Sequence, residues 1–480
     1  MIKTANKKII NGWAMYDWAN SVYNLVITTT FFPVLYNALS KAAPHNGTIT
    51  FMGRQFAAVP FKDYCMAASF MVVVIMIPIL SSIADSRGSK KKFMFLFCTL
   101  GSICCSALFF FNTDNILFSL LLFCVATIGF YGSQVFYNSY LPEIAAVEDQ
   151  DRISAKGYTY GYLGSVILQL IGFGLVVYYG DSNKLFPLQL TFLLVGLWWF
   201  GFAQITFNRL PATSPAVAKP SNNILTDGWH ELNKVIKQLR HMPTLKRYLI
   251  SFFLYSTGVQ TIMLAASDFG LTELMLPDSI LILTIVIIQL VAIVGAITMA
   301  KISSKIGNIN TLLITVAMWV LICISGYLLG QKALLLKPYA NQIEAQQKKL
   351  TTLTDTVQIA QIKQQIITIE NDMKPLQQPI TYLFYLLAAA VGIVMGGIQA
   401  LSRATYAKLM PPDTKDTASF FSFYDVTEKL SIVVGIFSFG YIHERTGSMS
   451  QSILALIVFF VLGFGCLWFT KLAAKKQLIT

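Results

Sequence analysis

Long apolar stretches recur along the whole chain, and they constrain its fold more than any other feature. A membrane-spanning helix needs about 20 mostly apolar residues to cross the hydrocarbon core of a bilayer. Stretches of this kind occur at residues 13–38, 63–84, 93–112, 115–138, 158–179, 185–206, 248–267, 279–300, 310–330, 380–401, 419–442 and 451–471. The sequence therefore predicts an all-α integral membrane protein with twelve transmembrane helices.

The composition argues against a water-soluble alternative. Hydrophobic residues make up 55% of the 480 residues and charged residues only 12%, about half the charged share of a globular protein. A chain with so few charges cannot cover a water-facing surface. Soluble enzymes, disordered chains and nucleic-acid-binding proteins are therefore excluded, and we expect a lipid bilayer as surroundings, no nucleic-acid partner and no enzymatic activity.

No metal or cofactor site is predicted. The seven cysteines lie in apolar stretches, and the four histidines lie in loops without the spacing of metal ligands. No nucleotide-binding loop of the Gly-x-x-x-x-Gly-Lys-Ser type occurs. An ATP-driven process is therefore not expected, which leaves a passive process or one coupled to an ion gradient, with the proton as the candidate ion.

Basic residues predict the orientation in the membrane. The net charge is +13. About two thirds of the Lys and Arg residues fall in connections on the same side of the membrane as the N-terminus, and the positive-inside rule makes that side cytoplasmic. We therefore expect both termini in the cytoplasm and a multi-pass protein of the cell (inner) membrane, monomeric in the simplest case.

The longest predicted inner connection, 207–247, divides the chain into six spans in 1–206 and six in 248–480. The halves resemble each other: Gly88 corresponds to Gly307, and Gln134 to Gln399. More residues separate Gln134 from Gln399 than separate Gly88 from Gly307, which indicates an insertion in the second half. The long loop at 331–379 is where we place it.

The linker and the insertion both have helical patterns. From Asp227 onward, one helix face carries Trp229, Leu232, Ile236 and Leu239, and the basic residues lie toward another. This predicts an amphipathic helix on the anionic inner leaflet; a calmodulin-like partner is the alternative. In 331–379, near-heptad apolar spacing on either side of a threonine-rich turn at 351–356 predicts an antiparallel helical hairpin on the outer side. This hairpin either decorates the protein without a role of its own or docks an extracytoplasmic partner.

Polar residues in the first span are candidates for function. Trp13, Tyr16, Asp17, Asn20 and Asn24 follow the helical repeat and form a stripe from the inner interface to about mid-membrane. A charge at that depth costs about 2.5–3.5 kcal/mol on insertion scales. The stripe is typical of a hydrated cavity wall, although interhelical hydrogen bonding would use the same residues.

The eleventh span contains a charged cluster of Asp425, Glu428 and Lys429. Asp425 and Lys429 are four residues apart, so we expect them to pair on one helix face. Glu428 then remains unpaired and is a candidate for proton exchange; a fully paired packing cluster is the alternative. Amide side chains place neutral polar groups in other spans: Gln134, Asn138, Gln169, Gln204, Gln260, Gln289 and Gln399.

The connection after the second span resembles a signature of the major facilitator superfamily, Gly-x-Leu-Ala-Asp-Arg-x-Gly-Arg-Lys. Here it reads SSIADSRGSK from residue 81. The matching positions are Asp85, Gly88, Lys90, Lys91 and Lys92, whereas the arginine is displaced by one to Arg87. The resemblance implies two six-helix bundles of the major facilitator fold, with these six residues as a cytoplasmic gate between helices.

A more specific resemblance is to the vacuolar amino-acid effluxer-like family and its bacterial relatives. It rests on WAMYDWANS at 13–21, NSYLPEI at 138–144, GYLG at 161–164, FLYSTGVQT at 253–261 and GIQALSR at 397–403. Asp425 and Glu428 depart from the family pattern. The resemblance implies a transporter, with efflux of amino acids as one branch's activity.

We therefore expect a secondary transporter that moves a small polar solute by alternating access. The expected cavity residues are Asp17, Asn20, Asn24, Gln260, Gln399 and Arg403, and Arg403 and Lys429 are expected to attract a carboxylate. The alternatives are a sugar or drug antiporter of the same superfamily, and a non-transporting receptor or scaffold that acts through 331–379.

Overall fold

A computed structural model describes residues 3–42, 45–180, 185–212, 224–350, 356–411 and 414–477. The N-terminal half contains α1 (Lys7–Val22), α2 (Phe32–Lys41), α3 (Ala58–Arg87), α4 (Lys90–Ala107), α5 (Ile116–Ser139), α6 (Leu141–Ile144), α7 (Gln150–Tyr179) and α8 (Phe186–Arg209). Helix α9 (Ile224–Arg240) lies in the predicted linker.

The helices of the C-terminal half are α10 (Pro243–Asp268), α11 (Asp278–Ile306), α12 (Asn308–Ala333), α13 (Lys337–Leu350), α14 (Thr356–Leu409), α15 (Thr417–Thr446), α16 (Met449–Ala455) and α17 (Ile457–Gln477). Within the described ranges, 11 helical segments are long and apolar enough to cross a membrane. Helix α15 is not among them, although it has 30 residues, because its charged side chains lower its mean hydropathy. The protein is thus a multi-pass membrane protein.

The described chain is helical as predicted, apart from one short hairpin that was not predicted. Between α2 and α3, strands β1 (Thr48–Phe51) and β2 (Arg54–Ala57) pair antiparallel, with Thr48 opposite Ala57. Met52 and Gly53 connect them with φ values of 49° and 76°. Positive φ at both positions is the geometry of a tight hairpin turn that matches strand twist, so a stretch expected to be a loop forms a small hairpin.

The first span is not a uniform α-helix. Tyr23–Phe31, between α1 and α2, is a π-helix, and a second π-helix, Phe269–Glu273, follows α10. The wider turns are supported by side chains, since the Thr29 and Thr30 hydroxyls donate to the Leu25 carbonyl at 2.8 and 3.0 Å. π-Helical turns are rare and concentrate at functional sites, and this one places Asn24 at the centre of the molecule.

Glycines bring helices of the C-terminal half into backbone contact. A Cβ atom on Gly396 of α14 would lie 2.1 Å from the Ala292 carbonyl oxygen of α11, and one on Gly295 of α11 would lie 2.2 Å from the Ile393 oxygen. Small residues permit this close approach of membrane helices. The packed pair α11–α14 faces α7, and we call this contact between the halves the seam; α15 meets α3 and α5 in a second contact between the halves.

The linker and insertion differ in detail from expectation. Leu232 and Val235 of α9 are buried, but Trp229, expected on the same face as Leu232, is 60% exposed. The insertion contains α13, but its second helix is not separate: α14 runs without a break from Thr356 through the tenth predicted span. The predicted turn at 351–356 lies almost wholly outside the described residues.

Candidate functional site: a polar cavity between the two halves

A cavity of about 110 Å³ lies between the two halves at the centre of the bundle. The N-terminal half contributes Asp17, Ser21, Asn24, Leu25, Phe130, Tyr131, Gln134, Asn138, Tyr158 and Tyr162. The C-terminal half contributes Gln260, Met263, Gln399, Tyr424, Asp425, Glu428, Lys429 and Ile432. The wall is therefore predominantly polar and aromatic. Seven helical elements build it: α1, the π-helix that follows α1, α5, α7, α10, α14 and α15.

The structure brings together most of the predicted cavity residues. Asp17, Asn24, Gln260 and Gln399 line the cavity, as does the whole charged cluster of α15. Asn20 does not: it is fully buried, and within the described part of the chain neither amide atom has a hydrogen-bond partner. The helical repeat alone placed Asn20 beside Asp17, but neighbouring helices cover its face of α1.

Arg403 lies behind the wall instead of on it, which corrects its expected role in attracting a carboxylate. Its Nη1 lies 3.4 Å from Asp17 Oδ2, and its Nε and Nη2 donate to the Ser154 hydroxyl and carbonyl at 3.0 and 2.9 Å. The guanidinium also lies 4.4–5.4 Å from the ring centroids of three aromatic residues, Trp13, Tyr137 and Tyr158. All of these partners belong to the N-terminal half.

Asp17 is held from two sides. The Tyr137 hydroxyl donates to its Oδ2 at 2.7 Å, on the same oxygen that faces Arg403. Tyr137 in turn stacks on Trp13, with ring centroids 4.5 Å apart. The aromatic positions of the WAMYDWANS stretch thus form a rigid setting for one buried carboxylate.

The pairing within the α15 cluster differs from the prediction. Lys429 pairs with its neighbour Glu428, not with Asp425. Glu428 also accepts a hydrogen bond from Gln260 Nε2 at 2.9 Å, and the Lys429 ammonium lies 4.0 Å from the Tyr131 ring centroid. Asp425 is only 4% exposed, and its Oδ2 has no hydrogen-bond partner in the described structure. Of the two carboxylates in the cluster, Asp425 is therefore the one without an ion pair in the described structure.

Four tyrosines of the wall were not predicted: Tyr131, Tyr158, Tyr162 and Tyr424. The Tyr162 hydroxyl donates to Gln399 Oε1 at 2.5 Å, which joins α7 to α14. Tyr158 and Tyr162 are four residues apart and flank Gly161 of the predicted GYLG stretch. That spacing was the available sequence signal for one aromatic face of α7.

One end of the bundle, which we call the latch end, is closed by bonds around the gate motif. Asp85 Oδ2 accepts hydrogen bonds from the Ser419 amide and hydroxyl at 2.6 and 2.7 Å, at the start of α15. A carboxylate there is stabilised by the helix dipole. Lys90 lies 3.0 Å from Asp85 and also pairs with Glu143, to which Thr417 donates at 2.6 Å. Glu143 belongs to the NSYLPEI stretch, but the sequence did not predict this contact.

The remaining gate residues have different surroundings. Arg87 is the last residue of α3, and Gly88 ends that helix with a left-handed φ of 61°. Lys91 donates to the Leu210 carbonyl at 3.0 Å, whereas Lys92 is exposed. Within the motif, Asp85 and Lys90 make the contacts to the other half, and Gly88 forms the turn between them.

A second set of bonds closes the same end and was missed from sequence. Asp151 at the start of α7 accepts from Asn308 Nδ2 at 2.6 Å and from the Ser303 hydroxyl at 2.9 Å, and lies 2.8 Å from Lys408 Nζ. These three partners come from α11, α12 and α14. The two halves are thus joined at the latch end by two separate charged clusters.

Known sequences agree with this architecture. A sequence model of the family described as "Vacuole effluxer Atg22 like" matches residues 5–333 and 367–478. YxiO of Bacillus subtilis, described as an uncharacterized MFS-type transporter, is 27% identical over 465 residues, which cover 96% of this chain and 94% of that protein. Autophagy-related protein 22-1 of Penicillium rubens is 23% identical, over 95% of this chain and 88% of its own length.

Solved structures show the same fold at low identity. The human organic anion transporter MFSD10 has a TM-score of 0.66 at 12% identity, covering 96% of this chain and 99% of that one. The proton:xylose symporter XylE has a TM-score of 0.64 at 11% identity, covering 96% of this chain and 94% of that one. The chain therefore belongs to the Atg22-like vacuole effluxer family, within the major facilitator superfamily of membrane transporters.

Proposed function

We propose that the protein is a secondary active transporter that exports a small polar solute, with amino acids as the reference class, by alternating access across the cell (inner) membrane. The observation that carries this proposal is the polar cavity between the halves, which has residues of both halves on its wall. A site at the interface of two helical bundles can be exposed to either side when the bundles rock.

Helix α15 is, in this proposal, a twelfth span. Its 30 residues give a helix of about 45 Å, longer than a hydrocarbon core of about 30 Å. Its start is held by Asp85 at the latch end, and the segment after its end is held by Glu273, which accepts from Ser448 and Ser450 at 2.7 and 2.8 Å. Its charges face the cavity, where water and partners reduce their cost. Because twelve is an even number of spans, both termini lie at the latch end. The excess of basic residues in the connections on that side predicts that it is cytoplasmic.

The arrangement supports a state that is closed toward the cytoplasm. A second, mostly apolar cavity adjoins the first and shares Leu25 and Met263 with it. Its other lining residues include Thr29, Leu281 and Phe384, which lie away from the latch end. A solute would thus pass between the central cavity and the outer side in this state, and the latch clusters would have to separate before it reaches the cytoplasm.

Proton coupling is part of the proposal. Asp17 and Asp425 are buried carboxylates on the cavity wall, and Asp17 interacts across the seam with Arg403. Protonation of Asp17 would weaken that attraction and so affect how firmly the halves are held together. This links a proton to the rearrangement without any cofactor.

Transport by purified protein in liposomes tests the proposal. We expect amino-acid uptake or release that depends on an imposed pH gradient, and loss of this flux in Asp17→Asn protein that still inserts and folds. Full activity of Asp17→Asn would refute the role of the cavity. Flux that ignores the pH gradient would refute proton coupling and leave the transporter assignment intact.

A further inference from the structure

The charges around the cavity are not balanced. Asp17 faces Arg403, and Glu428 is paired with Lys429 and bonded to Gln260. Asp425 is left with one oxygen that has no hydrogen-bond partner in the described structure, although the residue is only 4% exposed. A buried carboxylate oxygen without a partner is costly unless something binds it.

No positive group on the wall is free to receive a substrate carboxylate. Lys429, which is the basic residue among the described lining residues, pairs with Glu428 and rests on the Tyr131 ring at 4.0 Å. Arg403 lies behind Asp17 and Tyr158 and makes hydrogen bonds with its Nε, Nη1 and Nη2. A free acid entering the cavity would therefore meet an unpaired negative charge.

The other uncommitted groups suit a cation that carries a polar body. The Asn24 and Gln134 side chains line the cavity and make no hydrogen bond within the described structure. Tyr424 also lies on the wall and is held in place by stacking on Phe252, with centroids 4.2 Å apart. Aromatic faces attract ammonium groups, and amides can bind neutral polar atoms.

We propose that Asp425 binds the ammonium group of a net-cationic amine, so that the substrate is an amine or a basic amino acid instead of a neutral zwitterion or an acid. The inference rests on the transport function proposed above and specifies its substrate class. It concerns a residue at which this chain departs from the family pattern. The ammonium would lie against Asp425 Oδ2, with Asn24 and Gln134 available to the rest of the molecule.

Four compounds that share an unbranched five-carbon chain test the inference on purified full-length protein. Pentylamine is a cation, norleucine its zwitterionic carboxylated form, hexanoate the corresponding anion, and lysine is norleucine with a second ammonium. Thermal stabilisation by pentylamine and lysine, with little by norleucine and none by hexanoate, is the expected result. Equal responses to all four, a preference for hexanoate or norleucine, or no response to pentylamine and lysine would overturn the inference.

Variants separate Asp425 from general charge effects. Asp425→Asn should weaken binding of pentylamine and lysine by about 30-fold or more, as expected for removing one partner of a buried charge pair, and Asp425→Glu should retain part of it. Asp63→Asn is the matched control, because Asp63 has a side chain 59% exposed and lies outside the cavity. Stabilisation of the wild type by sodium or potassium chloride alone, lost in Asp425→Asn, would instead show an inorganic cation site and contradict the proposal.

Flux distinguishes this inference from the transporter assignment. Norleucine transport that is unchanged in Asp425→Asn would overturn the amine site while the transporter stands. Lysine binding that depends on Asp425, without flux of any of the four compounds in liposomes, would support the site and count against the transport function.

Discussion

Arg403 of α14 and Asp17 of α1 are 386 residues apart in sequence, and Arg403 Nη1 lies 3.4 Å from Asp17 Oδ2. Both side chains are almost completely buried. Each half of the protein thus supplies one charge of a pair that neither half could hold alone, because a buried charge without a counter-charge is strongly unfavourable. The pair ties the state of the cavity to the fit between the halves.

This pair should show strong coupling in a double-mutant cycle. Arg403→Gln and Asp17→Asn should each destabilise the protein, by up to about 3–5 kcal/mol, since each leaves one buried charge uncompensated. The double variant should cost clearly less than the sum. Unfolding of the four proteins in the same detergent measures this, and additive losses would contradict a direct interaction.

Local sequence patterns predicted several of the residues that line the cavity, but not the residues on other helices that they contact. The spacing of Asp17 and Asn24 placed them on one face because helical periodicity is a local property. Their partners lie on other helices: Tyr137 is 120 residues away and Arg403 lies in the other half. Asn20 has the right spacing and is nevertheless covered by packing.

The α15 cluster shows the same limit. A four-residue spacing brings Asp425 and Lys429 near each other on a helix, but Tyr131 of α5 and Gln260 of α10 favour the pair Glu428–Lys429. Likewise, nothing in the repeat of apolar residues distinguishes the π-helix Tyr23–Phe31 from an α-helix. The gate motif was predictable because its residues are adjacent in sequence. The Ser419 amide and hydroxyl, which donate to Asp85 from the other half, were not predictable.

The latch predicts a shift in conformational equilibrium. Asp85→Asn removes the charge that caps α15 and pairs with Lys90, so the latch end should open more often. Spin labels on the two halves at that end should report longer distances in Asp85→Asn. Lys92→Ala is the control, since Lys92 is exposed and its substitution should leave the distances unchanged. Identical distances in wild type and Asp85→Asn would contradict the latch.

The insertion is expected to be dispensable for transport. The family sequence model leaves out residues 334–366, whereas Gln377 Nε2 of α14 donates to the Met275 carbonyl at 2.7 Å and belongs to the body of the protein. Replacement of 337–366 by a short Gly/Ser connection should therefore preserve flux in liposomes. Loss of flux with intact folding would contradict this expectation and show that transport requires the insertion.

Docking of the linker helix should weaken as pH rises. Burial raises the pKa of the Glu231 carboxyl from its ordinary value near 4.5 to about 7, while Lys234 opposes and Asp416 adds to this effect. The docked helix thus favours protonated Glu231, and this contribution to stability is present at acid pH and lost as pH rises through about 7. Hydrogen exchange of α9, corrected for intrinsic rates, should show less protection at the higher pH.

Glu231→Gln should remove this dependence, because a neutral amide replaces the carboxyl. The pair between Lys234 and Asp416, 2.7 Å apart, is retained in that variant and holds α9 to the start of α15. A pH dependence of the same size in Glu231→Gln would assign the effect to another group.

Glycines of α7 permit its close packing against α1 beside the seam, and alanine substitutions should reveal this. A Cβ on Gly157 would lie 2.5 Å from Asp17 Oδ2 and 2.9 Å from Arg403 Nη2, and one on Gly161 would lie 2.4 Å from the Ser21 hydroxyl. Gly157→Ala and Gly161→Ala should each destabilise by about 1–3 kcal/mol through overpacking, with reduced flux. Gly174→Ala, on the same helix with nothing within 4 Å, should be neutral or slightly stabilising because alanine favours a helix. Equal effects of all three substitutions on the unfolding midpoint would show that helix propensity, and not contact at the seam, determines the result.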